Sequence, residues 1–90
     1  MLEVKYRFNG GLSRDITVRL QDIKQVRELD TSAPWDIRVT ILWGDEVAFD
    51  RPLAGVDPLH AVELAAKFAS SYIGDRARDE GGTIEPSALS

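Results

Sequence analysis

The strongest constraint on this chain is the alternation of apolar side chains with Asp36, Arg38 and Thr40 between residues 35 and 43, the most pronounced in the sequence. A period of two places successive side chains on opposite faces of an extended strand. β-branched and aromatic residues favour the interior of a sheet. The segment therefore predicts a central β-strand with one buried face, and the side chains of that face are Trp35, Ile37, Val39, Ile41 and Trp43.

Two further alternating segments predict a hairpin near the start of the chain. Residues 2–8 and 15–20 both carry their apolar side chains at even positions, and an Asn-Gly-Gly turn signal lies between them. A loop of three or five residues keeps both apolar sets on one face of the sheet. This loop length puts Val4 opposite either Ile16 or Val18.

A second hairpin is predicted where the chain leaves Trp43. Val47 and Phe49 share the face of Trp43 only if the loop has an odd number of residues. We therefore expect a three-residue turn, Gly44-Asp45-Glu46, with a bulge. Sequential strands are usually neighbours, which favours a simple 1-2-3-4 meander.

Residues 21–34 leave the strand order open. The three-residue spacing of Ile23, Val26 and Leu29 fits either a short helical turn over the edge of the core or an extension of the second strand. Residues 30–34 have loop composition, and Pro34 fixes the approach to the third strand.

Asp57 and Pro58 predict the start of a long amphipathic helix, as N-cap and first helical residue. Its apolar side chains cover about 220° of arc, more than a helix on a sheet needs. We expect the centre of this arc to face the sheet. One flank is then either covered by the connection that contains Ile23, Val26 and Leu29 or left open as a contact surface. The central residues are Val62, Ala65, Ala69 and Ile73, and the flank consists of Ala61, Leu64, Phe68 and Tyr72. The helix ends either at Ile73, with Gly74 as its cap, or near Glu80.

Together these elements predict an α+β fold, in which a four-stranded antiparallel sheet carries one long C-terminal helix on one face. Residues 1–82 form a single ββββα domain, which fits the length of 90 residues. Residues 83–90 form a loose C-terminal tail, from which Ile84 can fold back against the core.

Composition excludes several classes of function. The chain has no cysteine, so disulfides, zinc–thiolate sites and thiol catalysis are absent. Its net charge of −4 opposes binding to duplex nucleic acid. Neither an export signal nor a membrane-spanning segment is predicted, so we expect a cytoplasmic protein.

No pattern commits the chain to catalysis, a cofactor or a metal. The only histidine, His60, falls on the polar side of the helix. His60 and Glu63 are spaced to share a metal ion, but two ligands are too few for a metal site. The acidic pairs Asp45-Glu46 and Asp79-Glu80 lie in a turn and at a helix end, where solubility explains them. An N-cap aspartate at Asp57 repels phosphate. We therefore expect a protein that is not an enzyme.

Two surfaces remain as candidate contact sites. One is a weak anion-binding site on the polar face of the sheet, formed by Lys5, Arg7, Arg19 and Arg38. Carboxylates alternate with these cations, which favours ordinary cross-strand pairing over binding of an acidic ligand or nucleic acid. The other is the uncovered helix flank, with Leu64, Phe68 and Tyr72 as a protein interface. The leading hypothesis is a protein–protein interaction module, homodimeric or immunity-like.

Two short motifs resemble those of a family of small uncharacterised bacterial domains. That family has a Trp-x-Cys strand and a Gly-x-Asp motif that opens an Ala/Leu-rich helix. Here the strand motif is Trp35-x-Ile37, with isoleucine in place of cysteine, and the helix motif begins at Gly55-Val56-Asp57. The resemblance covers roughly residues 12–73. It implies a bacterial origin and a domain of unknown function, without catalytic residues.

Overall fold

The computed structural model describes residues 1–25 and 34–87. Within them, five strands and one helix follow in chain order: β1 (Leu2–Asn9), β2 (Arg14–Gln25), β3 (Trp35–Trp43), β4 (Glu46–Gly55), α1 (Pro58–Asp79) and β5 (Thr83–Pro86). The strands form one antiparallel sheet in the order β4-β3-β2-β1-β5. The α+β class and the meander of the first four strands are confirmed, whereas the expected total of four strands is wrong. No helix among these residues has the length and apolarity needed to cross a bilayer.

The first hairpin has the longer of the two predicted loops. Val4 pairs with Val18, and Phe8 pairs with Arg14, which leaves residues 9–13 between the last paired positions. Both apolar sets therefore lie on the face that α1 covers, as the parity of the two segments predicts.

The second hairpin corrects the predicted turn. Trp43 pairs with Glu46, so the loop has two residues and begins at Gly44, whose φ of 62° favours glycine. The extra residue lies within β4, because Ile41 pairs with Phe49. Phe49 shares the buried face as expected, but Val47 lies on the opposite face and is 60% exposed. The bulge within β4, and not a longer turn, places Phe49 on the same face of the sheet as Trp43.

The segment after Leu20 extends β2. Ile23 belongs to this strand, within a bulge between the pairs Gln21–Arg38 and Lys24–Asp36. Asp22 has a φ of 56° at this bulge, a conformation that aspartate tolerates better than most residues. Val26 and Leu29 lie outside the described residues.

The helix begins as predicted and continues past Gly74. Asp57 is the N-cap and Glu80 is the C-cap. The buried side chains follow a four-residue spacing: Ala61, Ala65, Ala69, Ile73 and Ala77. Ala61 therefore belongs to the core and not to the uncovered flank, while Val62 is only half-buried. Alanine at four of these five positions lets the helix backbone lie close to the sheet.

Residues 83–86 form an ordered strand, so the predicted loose tail is wrong for them. β5 pairs with Tyr6–Asn9 of β1, and Ile84 packs against the core as expected. A Schellman motif turns the chain into this strand, because Gly82 N–H donates to the Ala77 carbonyl and Gly81 N–H to that of Arg78. Gly81 has the left-handed φ of 73° that this motif requires.

Candidate functional site

The predicted interface on the helix flank is largely covered by β4. Phe68 lies with its ring centroid 4.5 Å from that of Phe49, and Tyr72 lies 6.2 Å from the same ring. The Tyr72 hydroxyl donates to the carbonyl of Ala48, the residue at the β4 bulge, over 3.2 Å. Leu64 alone of the three predicted residues is exposed, at 36%. Phe68 and Tyr72 therefore have a structural role in holding α1 against the edge of the sheet.

The opposite flank of α1 leaves an apolar groove over β1 and β2. We define the apolar groove by Leu2, Val4 and Tyr6 on the sheet, with Val62 and Ala66 on the helix. Its narrow part has a volume of about 90 Å³ and its wide part about 430 Å³. The wide part is lined by Met1, Leu2, Leu20, Gln21, Asp22, Ile23, Ile37 and Val62.

Apolar side chains are exposed where the apolar groove opens. Met1 is 83% exposed, and Leu2 is 52% exposed although it lies on the buried face of β1. Ile23, on the β2 bulge, also projects into solvent. Adjacent exposed apolar side chains are typical of contact surfaces. The apolar groove is therefore the stronger candidate interface among the described residues.

Sequence reasoning missed the apolar groove because it placed Val62 at the centre of the buried arc. The four-residue spacing of Ala61, Ala65 and Ala69 contains the signal, since small residues mark the line where a helix approaches a sheet closely. A helix centred on that line turns Val62 and Ala66 toward its edge.

His60 acts at the start of the helix. Its Nδ1 accepts a hydrogen bond from the Val56 N–H over 2.9 Å, and its own backbone N–H donates to Asp57 Oδ1 over 2.8 Å. Glu63 pairs with Lys67 and not with His60. Residues 1–25 and 34–87 contain no cluster of three His, Cys, Asp or Glu side chains suited to a metal ion.

Each of the four predicted anion-binding cations lies beside a carboxylate on the open face of the sheet. Lys5 and Arg19 both approach Glu3, at 3.8 and 2.9 Å. Arg7 lies 3.3 Å from Asp15. The structure thus distributes these cations among ion pairs along the strands and does not gather them into one positive patch.

The most organised of these pairs joins Arg38 to Asp50. The guanidinium donates two hydrogen bonds to the carboxylate, at 2.8 and 3.0 Å, and the Thr40 hydroxyl donates a third at 2.9 Å. These donors hold the pKa of Asp50 below its ordinary value, and the same contact raises the pKa of Arg38.

A second charged cluster fastens the end of α1 to the β3–β4 hairpin. Arg76 donates two hydrogen bonds to Glu46, at 3.0 and 3.2 Å, and a third to Glu80 at 2.6 Å. Its guanidinium also lies 4.6 Å from the centre of the Trp43 ring. Hydrogen bonding from Arg76 lowers the pKa of Glu46, and the same contact raises that of Arg76. The Trp43 indole N–H is buried and has no hydrogen-bond partner among the described residues.

These lowered carboxylate pKa values predict a loss of stability in acid. Glu46 and Asp50 stabilise the fold fully above their ordinary pKa values near 4, and this contribution disappears as the pH falls through the lower values of the folded state. We expect the urea midpoint of unfolding to fall between about pH 5 and pH 2. The double variant Glu46→Gln/Asp50→Asn should show a shallower fall, whereas Asp45→Asn should follow the wild type. Equal slopes for the double variant and the wild type would contradict the assignment.

Comparison with protein-family models, with curated proteins and with solved structures finds no match for this chain. The resemblance to small bacterial domains therefore stays a prediction.

Proposed function

We propose that this chain is a non-enzymatic protein–protein interaction module that acts through the apolar groove. The observation that carries this proposal is the incomplete cover of the sheet. One helix of about 10 Å diameter lies on a sheet whose five strands span about 20 Å, so part of the apolar face is left without a covering layer. Burial of such a surface against another protein is favourable.

A second copy of the same chain is the partner that fits this surface best. A two-fold symmetric interface uses the same patch on both subunits, so the patch must offer both projections and a hollow. Met1 and Leu2 supply apolar projections directly beside the apolar groove. Each subunit can therefore place its own apolar side chains into the hollow of the other.

The contacts of His60 support the non-enzymatic part of the proposal. Catalysis by a histidine base requires a free ring nitrogen aimed at a nucleophile. Here Nδ1 accepts a hydrogen bond from the Val56 N–H, so the neutral ring carries its proton on Nε2 and neither nitrogen has a free lone pair. The bacterial cytoplasm is the proposed setting because of the resemblance to bacterial domains, and a chain without cysteine is compatible with a reducing compartment.

Measurement of mass against concentration by sedimentation or light scattering tests the homodimer. We expect the mass to rise toward that of a dimer, and Leu2→Glu or Ala66→Glu to weaken association at least tenfold, because each places a carboxylate in an apolar interface. Both positions are exposed, so these variants should remain folded.

Leu12→Glu is the matched control, because Leu12 is 69% exposed in the β1–β2 loop outside the apolar groove. It should associate like the wild type. A chain that stays monomeric at high concentration excludes the second copy as partner. The immunity-like alternative would then be supported by a different protein from the source cell that binds the wild type. That protein should bind Leu12→Glu but not Leu2→Glu. Retention of every partner by Leu2→Glu and Ala66→Glu would overturn the proposal.

A further inference from the structure

The edge strand β5 is the most weakly attached element of the described fold. It pairs with only half of β1, and of its four side chains only Ile84 is partly buried. Pro86 has no N–H to donate to the sheet. By contrast, the edge strand β4 has ten residues and is held to the helix by Phe49 and by the Tyr72 hydrogen bond.

The connection from α1 to β5 is suited to local opening. Gly81 and Gly82 join the two elements, and Gly82 lies so close to the Asn9 carbonyl and the Phe8 ring that a Cβ there would clash with both. Gly82 therefore covers Phe8 and is held by the Ala77 carbonyl even if the chain departs from the sheet after it. When the residues beyond Gly82 leave the sheet, Gly82 keeps its contact with Phe8, and Ile84 is the one β5 side chain whose contact with the core is lost.

Beneath β5, the edge of β1 is complementary to an extended polypeptide. The Lys5 carbonyl accepts a hydrogen bond from Ser87 N–H, so alternate residues of β1, including Arg7 and Asn9, direct their backbone groups toward this edge. Arg7 lies opposite Glu85, and Asn9 donates to the Glu85 carboxylate at 2.9 Å. The edge therefore favours a bound segment that places an acidic residue on the open face of the sheet, next to an apolar residue that lies opposite Phe8.

We propose that β5 is a displaceable edge strand and that the β1 edge beneath it accepts an extended segment of another protein with an apolar–acidic pattern. Strand addition of this kind takes its affinity from backbone hydrogen bonds and its selectivity from alternate side chains. This inference rests on observations separate from the apolar groove, which lies between α1 and the face of the sheet and shares only Tyr6 with the residues that pair with β5. Either proposal can fail without the other.

Amide hydrogen exchange followed by NMR tests the displacement. In the wild type, the amides of Thr83 and Glu85, which point toward β1, should exchange at least tenfold faster than the hydrogen-bonded amides of β3, because they open locally. Ile84→Ser should accelerate them at least a further tenfold and leave β3 unchanged. Ile23→Ser is the matched control, since this half-exposed isoleucine lies on β2 and does not contact β5, and it should leave β5 exchange unaltered.

A synthetic peptide with the sequence of residues 82–87 tests the binding edge. Added to the full-length Ile84→Ser chain, it should shift the amide signals of Arg7 and Asn9, whereas the same peptide with serine in place of its isoleucine should bind at least tenfold more weakly. Two results would overturn the proposal: β5 amides that exchange only as slowly as those of β3, or Arg7 and Asn9 signals that do not respond to the peptide.

Discussion

Replacing Ile41 with alanine is expected to lower the free energy of unfolding by about 3 kcal/mol, the largest effect of any single truncation considered for this fold. Ile41 is fully buried in β3, between Val18 on β2 and Phe49 on β4. Its neighbours belong to three strands of a rigid sheet, so they cannot collapse into the cavity that the substitution leaves. A domain of this length is stable by about 5–13 kcal/mol, so the variant loses a large part of its stability.

Urea denaturation at neutral pH measures this loss, with Ile23→Ala as the control. Ile23 is the same residue type on a neighbouring strand, but it is about half exposed, and its truncation should cost less than about 1 kcal/mol. Similar losses for the two variants would show that the sheet face bearing Ile41 is not the centre of the core.

Replacing Gly55 with alanine is expected to destabilise the fold by about 3 kcal/mol. A Cβ at this position would lie 2.5 Å from the Ala61 nitrogen and 2.7 Å from its Cα. These are backbone atoms of α1, so no side-chain rotation can relieve the contact. The helix start cannot move away easily either, because Asp57 caps it and the Ala61 side chain is fully buried.

Gly11→Ala is the matched control for this substitution. A Cβ at Gly11 meets no atom within 4 Å, so this variant should be as stable as the wild type or up to about 1 kcal/mol more stable. Thermal or urea unfolding of both variants makes the comparison. A Gly55→Ala variant with wild-type stability would show that α1 does not begin in contact with the end of β4.

The position of the predicted interface shows where sequence reasoning about function reached its limit. The width of the apolar arc on α1 predicted an uncovered flank with Phe68 and Tyr72, but that flank packs against β4 and the open surface lies on the other side of the helix. The width of the arc could not show which flank stays open, because apolar residues such as Phe68 and Tyr72 can either pack against the sheet or form an exposed interface. Their contacts with Phe49 and Ala48 depend on the bulge in β4. The alternation of residues 46–50 shows that one extra residue is needed to bring Phe49 to the buried face, but not where that residue lies.

The sequence by itself determined the four alternating strands, the odd number of residues in the first hairpin loop and the start of the helix at Asp57. Each of these follows from local periodicity or from a single backbone preference, as with proline after a capping aspartate. Ion pairing on the open face also follows from the alternation, since oppositely charged residues recur on one parity of neighbouring strands.

Only the tertiary structure decided the place of β5, the rotation of α1 and the position of the apolar groove. Residues 83–86 are too short and too polar to predict a strand, and they become one because the Schellman turn delivers them to the free edge of β1. The rotation of α1 is set by the close approach that Ala61, Ala65 and Ala69 allow. These features depend on contacts between residues distant in sequence. The spacing of the alanines indicates which side of α1 approaches the sheet, but it does not show what lies beside that contact.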